Sequence, residues 1–585
     1  MTQTSNDFPE SHKLSPTARL LWLVLILSTL YLCYFHNLGA LGLVGPDEPR
    51  YAWIARDMQE TGDWVTPRLY GKPWFEKPPL YYWGAALSFK FFGVSETSAR
   101  LSSAISALLS TLALAWLALR LYGAKTARWL LLLLPTTVGM IGFSHAAATD
   151  MPFAAMLTIA MVFAAQLLNL VPSSNQQSEQ ANPHQRARRS FTSFTSSTSF
   201  TSFTSFFFGF FLGLATLAKG PAAIILSGGA VLLWAVFTNR WRDAFRCLHP
   251  VAIASFCLTA FPWYILCARR NPDFFRVFII EHNFNRFLTP EFQHIQPFWY
   301  YVPIFLFGVF PWIFFHAFAK LEFLANWIDK LPETSSQGFL LAWAGFTFLF
   351  FTLSKSKLPG YIMPAILPMA LLMANSAASV TKDPRRSPRW PLLGTSLTLL
   401  VFGIVLQRQA QRIPALPCAG LACGLMPIWL SAIFGGMVVG VLAAGRRVRT
   451  SLFAALLTTL LLVAELERFL PQMDAAISGR YAARTVKIVW PELSLDNAAI
   501  WQINRSFAYQ LNYYARKEIP EWKPGDTRPA LLFVAKGKQQ EAANYGFRCV
   551  DFAAPPAVIA CRDTGSLGRL GGGNAGNSLS NRQPR

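Results

Sequence analysis

The stretch "RLLWLVLILSTLYLCYFHNLGALGLVGPDEPR", residues 19–50, begins with a long apolar run and ends on charged residues. The run is long enough for a membrane-spanning helix, which needs about 20 apolar residues. Lys13 and Arg19 precede it, and no convincing small-residue cleavage site follows it. The pattern predicts an uncleaved signal anchor after a cytoplasmic N-terminus at 1–19.

The composition of the whole chain favours the same class of protein. Of 585 residues, 53% are hydrophobic and only 14% are charged, and the mean hydropathy is +0.33. A soluble protein of this length needs a more polar surface, so the chain is predicted to span a membrane several times. The net charge of +22 does not indicate nucleic-acid binding, because the basic residues lie beside apolar runs.

Apolar runs recur along the chain and predict an all-α polytopic membrane protein with about 13 transmembrane helices. The predicted spans are 20–41, 98–119, 129–146, 152–171, 206–218, 221–238, 249–268, 298–319, 337–353, 360–378, 391–406, 425–444 and 451–468. Every second connection is rich in Lys and Arg, as cytoplasmic loops are. These loops hold Arg120, Lys125, Arg128, Arg186, Arg188, Arg189, Arg240, Arg242, Arg246, Lys320, Lys330, Lys382, Arg385, Arg386, Arg389, Arg446, Arg447 and Arg449.

This orientation divides the chain into a membrane domain at 20–468 and a small periplasmic α/β domain at 469–565. Strand-like runs such as "ALLFVA" and "AVIACR" support the second domain. The loops 42–97 and 269–297 also lie outside, whereas the Ser/Thr/Phe-rich stretch 172–205 is predicted to be a cytoplasmic loop.

Gly, Asn and Ser dominate 566–585, which predicts a disordered tail. An oxidising compartment would permit Cys418–Cys423 and Cys549–Cys561 disulfides. The sequence leaves both pairings open, and it contains no Cys/His metal pattern.

Polar groups are concentrated on the predicted outer face, at or near the ends of spans. They comprise Asp47, Glu48, Arg50, Glu76, Lys77, Tyr81, Tyr82, His145, Asp150, Lys219, Glu281, His282, Asn283, Arg286, Lys355, Lys357 and Tyr361. Charged groups at membrane depth are costly and are therefore functional candidates. Lys and Arg suit the phosphate of a lipid-linked donor, and carboxylates suit a general base.

Each of these residues also has a plain structural alternative. Asp47 and Asp150 could be helix N-caps, and Lys77 could be an interfacial lysine whose charge reaches water. Arg286 could simply pair with Glu281, and His145 and His282 are expected to be structural hydrogen-bonding residues. The shared side, depth and charge complementarity favour a sugar transfer from a polyprenyl phosphate. No Gly-rich nucleotide loop is present.

The same motifs resemble a known family. "DEPRYAWIARDMQETGDWVTPRLYGKPWFEKPPLYYW", "FFGVSETSARL", "TDMPF", "LAKGPAAI", "FFRVFIIEHNFNRF" and "SKSKLPGYIMPAILP" resemble the bacterial aminoarabinose lipid A transferases. These are phospholipid-carrier-dependent glycosyltransferases of the GT-C type, related to the protein O-mannosyltransferases. The resemblance covers roughly residues 20–380 and implies inverting transfer from undecaprenyl-phosphate-linked sugar at the periplasmic face of the bacterial inner membrane.

The resemblance also implies roles for individual residues. Asp47 is expected to activate the acceptor, with Asp150 as its partner carboxylate and Glu48 as a further acid. Lys77, Lys219, Arg286 and Tyr361 are expected to surround the donor phosphate. Glu76, Arg50, Tyr82 and His282 are expected to support the site. No cofactor is required, and a divalent metal near Glu76 is compatible with the family but not demanded by it.

The form "EKPPLYYW" (residues 76–83) is typical of the broader carrier-dependent group, so the reaction class is better defined than the sugar or the acceptor. The leading expectation is 4-amino-4-deoxy-L-arabinose transferred to lipid A or another envelope acceptor. Transfer to a protein hydroxyl is the alternative within the class. A flippase or transporter of lipid-linked sugars is the alternative outside it, although such a protein has no need of a large outer domain.

Overall fold

The computed structural model describes residues 15–171, 193–285, 288, 296–315, 335–381, 388–412, 421–550 and 557–565. Its α-helices are numbered in chain order from the N-terminus. In the first half they are α1 Pro16–Tyr34, α2 Asp47–Thr61, α3 Leu80–Phe92, α4 Glu96–Tyr122, α5 Ala124–Leu133, α6 Val138–Ser144, α7 Asp150–Leu167, α8 Ser193–Lys219, α9 Ala222–Thr238, α10 Trp241–Ala244 and α11 Pro250–Arg270. The second half contains α12 Tyr301–Gly308, α13 Ser335–Leu353, α14 Met363–Val380, α15 Trp390–Arg412, α16 Leu421–Ala444, α17 Val448–Ile477, α18 Gly479–Val489, α19 Arg505–Ala515 and α20 Gln539–Asn544.

The helices match the predicted spans in position. Among the described residues, 10 helices are long and apolar enough to cross a membrane, and the pair α5 and α6, bent by 62°, supplies one more candidate. Two shorter apolar helices, Ala222–Thr238 and Phe298–Gly308, lie where the remaining two spans are predicted. The chain is a multi-pass membrane protein, and the all-α fold class is confirmed.

The spans differ in how deeply they are enclosed by other helices. The spans Asp150–Leu167 and Pro359–Val380 are 83% and 89% buried, whereas Pro16–Tyr34 is only 22% buried. The outward apolar side chains of such a peripheral helix are suited to lipid contact. Asp150 and Tyr361 lie at the N-terminal ends of these two deeply buried spans. The most enclosed spans therefore position two of the predicted site residues.

Helix α8 corrects the predicted cytoplasmic loop at 172–205. Residues 172–192 lie outside the described residues, but the helix already begins at Ser193. The phenylalanines of this stretch recur at helical spacing, and Phe207 and Phe211 stack on Phe163 of α7 with ring centroids 5.4 and 6.0 Å apart. Side chains three and four apart share a helix face, so the repeat extends a helix where low complexity suggested a loop.

Helices α2 and α3 lie in the segment 42–97 between the spans α1 and α4, which is predicted to be the first outer loop. A short antiparallel hairpin, β1 Arg68–Leu69 with β2 Lys72–Pro73, separates them. Gly71 has a φ of +77°, which the turn of the hairpin requires and which glycine adopts without strain. Helices are therefore present where interfacial helices are predicted, and their place in the interface stays a prediction.

The C-terminal domain is the small α/β unit that the strand-like runs predict. Its sheet has the order β3-β4-β6-β5, in which only β3 and β4 are parallel. The strands are β3 Ala498–Trp501, β4 Leu531–Ala535, β5 Phe547–Cys549 and β6 Val558–Asp563. The domain boundary predicted at 469 falls inside α17, which runs on to Ile477, because the last span continues as a helix beyond its apolar part.

Side chains of β4 alternate between the two faces of this sheet, as a strand of period two requires. Leu531 and Phe533 pack in one hydrophobic cluster with α18 and α19, while Leu532 and Val534 pack in another against α20. Cys549 and Cys561 lie opposite each other on β5 and β6 and form a disulfide. Cys418 lies outside the described residues, so the other proposed pair stays a prediction.

Candidate active site

The first turn of α2 places a carboxylate and a guanidinium group on one helix face. Pro46 is the N-cap and makes no side-chain cap, so Asp47 is the first helical residue and the N-cap alternative is wrong. Arg50, one turn later, forms an ion pair with Asp47 Oδ1, as residues three apart on a helix can. The Asp47 side chain is 44% exposed while that of Arg50 is 7% exposed, so the carboxylate stands at the edge of a buried cation.

Arg50 also joins the helix to the segment after the hairpin. Its Nη1 donates to Glu76 Oε2 at 2.8 Å, and its Nε donates to the Pro46 carbonyl at 2.8 Å. Burial alone would lower the pKa of Arg50, but the carboxylate of Glu76, with smaller effects from Tyr51 and Asp47, raises it. The guanidinium is therefore a fixed positive charge between the two acids.

Lys77 lies beside the same acid. Its Nζ is 3.7 Å from Glu76 Oε1 and 3.4 Å from the Glu76 carbonyl, with the Lys77 side chain only 12% exposed. This enclosure argues against a simple interfacial lysine, whose ammonium group would extend into water. Glu76 thus holds two cations, Arg50 and Lys77, next to Asp47.

Glu48 points into the fold and is saturated with hydrogen bonds. Arg100 donates to both of its oxygens, at 2.9 and 2.7 Å, and the backbone N–H groups of Val44 and Ala147 donate at 2.7 and 2.6 Å. The side chain is 7% exposed. Its contacts fix the loop before α2 against the residues that lead into α7, three positions before Asp150.

A second cluster forms where the spans α7, α8 and α14 meet. Lys219, the last residue of α8, donates from Nζ to Asp150 Oδ1 at 2.6 Å. The same Nζ lies 4.4 Å from the ring centroid of Tyr361, a cation–π arrangement. Thr149, not Asp150, is the N-cap of α7, so the capping alternative is wrong here too.

Gly360 is what allows the close approach of Tyr361 to this ion pair. A Cβ placed on Gly360 would lie 2.4 Å from Asp150 Oδ1 and 2.9 Å from the ring of Phe143. Any larger residue would have to displace the carboxylate. The motif "LPGYI" (residues 358–362) therefore owes its glycine to packing against Asp150.

Two sets of contacts bring the clusters to the same face of the membrane domain. Phe75, next to Glu76, packs in a hydrophobic cluster with Leu217, two residues before Lys219. The hydrogen bond from Ala147 to Glu48 joins the two acidic segments directly. Charges from four separate parts of the sequence thus lie in one region of the fold.

The remaining predicted residues are placed unevenly. Tyr82 is fully buried, its hydroxyl has no hydrogen-bond partner among the described residues, and burial, followed by Glu76, raises its pKa well above the usual value. His282 is half-buried on a π-helix, Arg276–Asn285. Arg286 lies outside the described residues, and Glu281 pairs with Arg276 at 2.5 Å.

His145 makes structural hydrogen-bond contacts, as predicted. Its Nε2 is 3.0 Å from the His36 carbonyl and 3.4 Å from Glu467 Oε1. Its Nδ1 is 3.0 Å from the Ile141 carbonyl. These contacts tie α6 to the loop after α1 and to α17.

Three residues that the sequence reasoning missed hold the site together. Arg100 donates to the carbonyls of Leu38, Leu41 and Gly42 at 2.7–2.8 Å, in addition to Glu48. Arg480 of α18 donates to Gly39 and Ala40, and Tyr509 of α19 lies against Arg50. Arg100 stood in a quoted motif, but nothing in the C-terminal sequence marks Arg480 or Tyr509.

The donor set for a metal near Glu76 is poor. Within the part of the chain that the structure describes, no three His, Cys, Asp or Glu side chains are grouped to hold an ion. Glu76 is instead neutralised by Arg50 and Lys77. The described residues do not fit a metal there, and no step below uses one.

Comparison with known proteins supports the predicted class. The family model described as dolichyl-phosphate-mannose-protein mannosyltransferase matches residues 20–278. The undecaprenyl phosphate-alpha-4-amino-4-deoxy-L-arabinose arabinosyl transferase of Edwardsiella ictaluri is 33% identical over 339 residues, which is 58% of this chain and 56% of that protein. The protein of the same name from Erwinia tasmaniensis is 30% identical over 383 residues, 65% and 63% of the two chains. The matched part spans less than two thirds of these relatives' own length.

The fold extends further than the sequence match. The crystal structure of ArnT from Cupriavidus metallidurans bound to undecaprenyl phosphate superposes with a TM-score of 0.70 at 20% identity, covering 94% of this chain and 99% of that one. Its apo form gives a TM-score of 0.69 at 22% identity. The fold is therefore that of the ArnT crystal structures. The relatives' names and this fold agree with the resemblance that the motifs carry.

Proposed function

We propose that this chain is an inverting glycosyltransferase that uses an undecaprenyl-phosphate-linked sugar. The sugar is 4-amino-4-deoxy-L-arabinose, and the acceptor is lipid A or another envelope molecule. The names of the relatives and the ArnT fold support the donor class. Asp47, Lys77, Asp150 and Lys219 fall within residues 20–278, which match the family model, and Arg286 and Tyr361 fall in motifs beyond that segment.

One observation carries the proposal: the half-exposed carboxylate of Asp47 pairs with the enclosed Arg50, and Glu76 links Arg50 to a second enclosed cation, Lys77. An acid open to solvent beside buried positive charge suits a reaction between an incoming nucleophile and an anionic leaving group. Arg50 holds Oδ1 of Asp47, which leaves Oδ2 as the oxygen able to take a proton. General bases of this kind contribute about 10²- to 10⁴-fold to a rate.

The chemical step is a displacement at the anomeric carbon of the donor sugar. A bond forms from the acceptor oxygen to that carbon while the bond from the carbon to the lipid phosphate breaks, with inversion. The proton of an acceptor hydroxyl goes to Asp47, and undecaprenyl phosphate leaves with the electron pair. The sugar passes through an oxocarbenium-like transition state.

The lysines act where negative charge develops on the leaving phosphate. Lys77 and Lys219 are held by Glu76 and Asp150 at 3.7 and 2.6 Å, so their positions are fixed before the donor binds. Preorganised charges stabilise a transition state without reorganisation at the moment of reaction. Tyr361 covers Lys219 and limits its contact with water, and Arg286 is assigned to the same phosphate by its motif alone.

The hydrogen bonds of Glu48 support a positioning role. They do not support the catalytic role that its place beside Asp47 suggests. Its two oxygens receive four hydrogen bonds from Arg100, Val44 and Ala147. In this proposal it positions Asp47 and Asp150 relative to each other and does not touch the sugar.

We place the reaction at the periplasmic face of the bacterial inner membrane. The basic residues of alternate connections support this orientation, because Lys and Arg accumulate in cytoplasmic loops. The disulfide of the C-terminal domain agrees with an oxidising compartment on that side.

A protein hydroxyl is the second candidate acceptor. The match of residues 20–278 to the mannosyltransferase family model favours it, since that family acts on proteins. The half-exposed Asp47 would serve a Ser or Thr hydroxyl as a base in the same way.

The test is reconstitution of the purified chain in vesicles with defined donors and acceptors. Undecaprenyl-phosphate aminoarabinose or undecaprenyl-phosphate mannose is mixed with lipid A or with a Ser/Thr-rich peptide, and the products are read by mass spectrometry. Lipid A carrying aminoarabinose is the expected product. Glycosylated peptide would support the second candidate, and movement of intact donor across the bilayer without any transfer would refute the enzyme and indicate a flippase.

A further inference from the structure

The C-terminal domain reaches into the proposed site through one helix face. Tyr509 of α19 packs in the hydrophobic cluster built by α2 and α3, together with Tyr513 and Tyr514. Asn512 donates to the Tyr70 hydroxyl at 3.0 Å, and Arg56 of α2 donates to the Tyr513 carbonyl at 3.3 Å. The helix is thus fixed along α2 rather than attached only through its link to α17.

Tyr509 lies against the central cation of the site. Its ring centroid is 5.2 Å from Cζ of Arg50, closer than the rings of Trp74 at 5.6 Å and Tyr51 at 5.8 Å. The polar edge of Arg50 is already taken up by Asp47, Glu76 and Pro46. The aromatic rings restrain the rest of the guanidinium through cation–π attraction.

We propose that Tyr509 is a positioning residue: it holds Arg50, and through Arg50 the Asp47 carboxylate, in the reactive geometry. The inference rests on the proposed function, because Asp47 is the base only in that account. The C-terminal domain would then be part of the active site and not an appendage. Arg505, one turn earlier, fixes Tyr509 in turn by donating from Nε to its hydroxyl at 3.0 Å.

The ring, and not the hydroxyl, is the group that contacts Arg50. Tyr509→Phe keeps the ring and removes only the bond from Arg505, so transfer should stay within about twofold of wild type, as for loss of one exposed hydrogen bond. Tyr509→Ala removes the ring and should lower kcat about 10- to 100-fold, since small misplacements of catalytic groups cost that much. The KM for the donor should change little, because the lysines of the phosphate site are untouched.

Tyr545→Ala is the matched control within the same domain. Tyr545 is 42% exposed and makes edge-to-face contacts with Trp501 and Trp522, with centroids 5.6 Å apart in each pair, on the side of the sheet away from α19. Its loss perturbs the domain without touching α2. Normal kcat in this variant beside low kcat in Tyr509→Ala would separate positioning from general destabilisation.

A second measurement does not depend on catalysis. Hydrogen exchange of the amides in the first turns of α2 should be faster in Tyr509→Ala than in wild type and Tyr545→Ala, because Arg50 loses a restraint. Unchanged exchange together with unchanged kcat would overturn the proposal for Tyr509. If wild type makes no product, the proposed function fails, and the exchange comparison still decides whether Tyr509 positions Arg50.

Discussion

At the scale of single residues, the candidate site pairs each of its described cations with an acid. Arg50 is paired with Asp47 and Glu76, Lys77 with Glu76, and Lys219 with Asp150. An unpaired buried charge would be strongly unfavourable. The acids therefore hold the cations in place, and in the proposed function Asp47 also contacts the acceptor.

Lys77 is the cation whose loss should affect the donor most directly. Lys77→Ala removes a charge-assisted bond to phosphate, which is worth about 1.5–3 kcal/mol, so the KM for the donor should rise at least about tenfold. Steady-state transfer at varied donor concentration measures it. Lys90→Ala is the control, because Lys90 is an exposed lysine in the last turn of the neighbouring helix α3. An unchanged donor KM in Lys77→Ala would remove Lys77 from the phosphate site.

Glu48 separates a structural acid from a catalytic one. Glu48→Gln breaks a buried ion pair with Arg100, and such losses cost about 3–5 kcal/mol of stability. Thermal unfolding of the purified variant should show a clear fall in Tm. Because Glu48 only positions Asp47 and Asp150, the molecules that remain folded should lose less of their rate than those of Asp47→Asn. A normal Tm with a large fall in kcat would return Glu48 to the catalytic group.

At the scale of elements, the site depends on how the first outer loop is attached to the spans. Asp63 is the principal tie: its carboxylate accepts from Arg68 at 2.5 Å and from Arg270, at the end of α11, at 3.0 Å. It also accepts from the backbone N–H groups of Val65 and Thr66. The loop that carries Glu76 and Lys77 is thereby joined to α11.

These contacts predict an acid-dependent stability. Burial raises the pKa of Asp63, but the Arg68 and backbone hydrogen bonds lower it more, so its folded pKa is below the ordinary value. Because the pKa of Asp63 is lower in the folded state, its carboxylate stabilises the fold at pH values above the unfolded pKa of about 3.9. This stabilisation is lost as the pH falls through the folded pKa. Asp63→Asn should lower Tm near neutral pH, and the difference from wild type should shrink below about pH 4. An equal difference at every pH would contradict this.

The helices were predicted well because a long apolar run in a membrane protein forms a spanning helix. The prediction failed where an element depends on packing. Low complexity at 193–205 hid helix α8, whose phenylalanines pack on Phe163. The clamp of Arg100 and Arg480 on the loop 38–42 joins residues hundreds of positions apart, and no local pattern encodes such contacts.

Site residues were predictable to the extent that they are charged near a span end. Asp47, Lys77, Asp150 and Lys219 are all proposed as site residues on this ground. Their pairing was not, since it depends on which span ends meet in space. Tyr509 gave no signal, because an aromatic residue on a small soluble helix is ordinarily core.

At the scale of the whole molecule, the orientation of the chain is the main untested expectation. Ser494 in the C-terminal domain and Arg242 in the connection between α9 and α11 are both exposed. In intact spheroplasts, a membrane-impermeant thiol reagent should label Ser494→Cys. It should not label Arg242→Cys. Unmodified protein is the control, because Cys33, Cys247 and Cys267 are buried and Cys257 is half-buried. Labelling of Arg242→Cys without permeabilisation would reverse the proposed topology.

The fold gives this orientation a functional meaning. The C-terminal domain, the first outer loop and the starts of α7 and α14 all meet at one end of the membrane domain. In the proposed function, a lipid-linked donor reaches that end from the bilayer, and an envelope acceptor reaches it from the aqueous side. Synthesis of the product on one face of the membrane follows from this arrangement.

The most direct test of the central claim compares two aspartates of α2 in the reconstituted transfer. Asp47→Asn should lower the rate about 10²- to 10⁴-fold, the usual contribution of a general base. Asp57→Asn, on the same helix but away from Arg50 and Glu76, should stay within about twofold because it leaves those ion pairs intact. Both variants should insert into membranes as the wild type does. Near-normal product formation by Asp47→Asn would contradict the account.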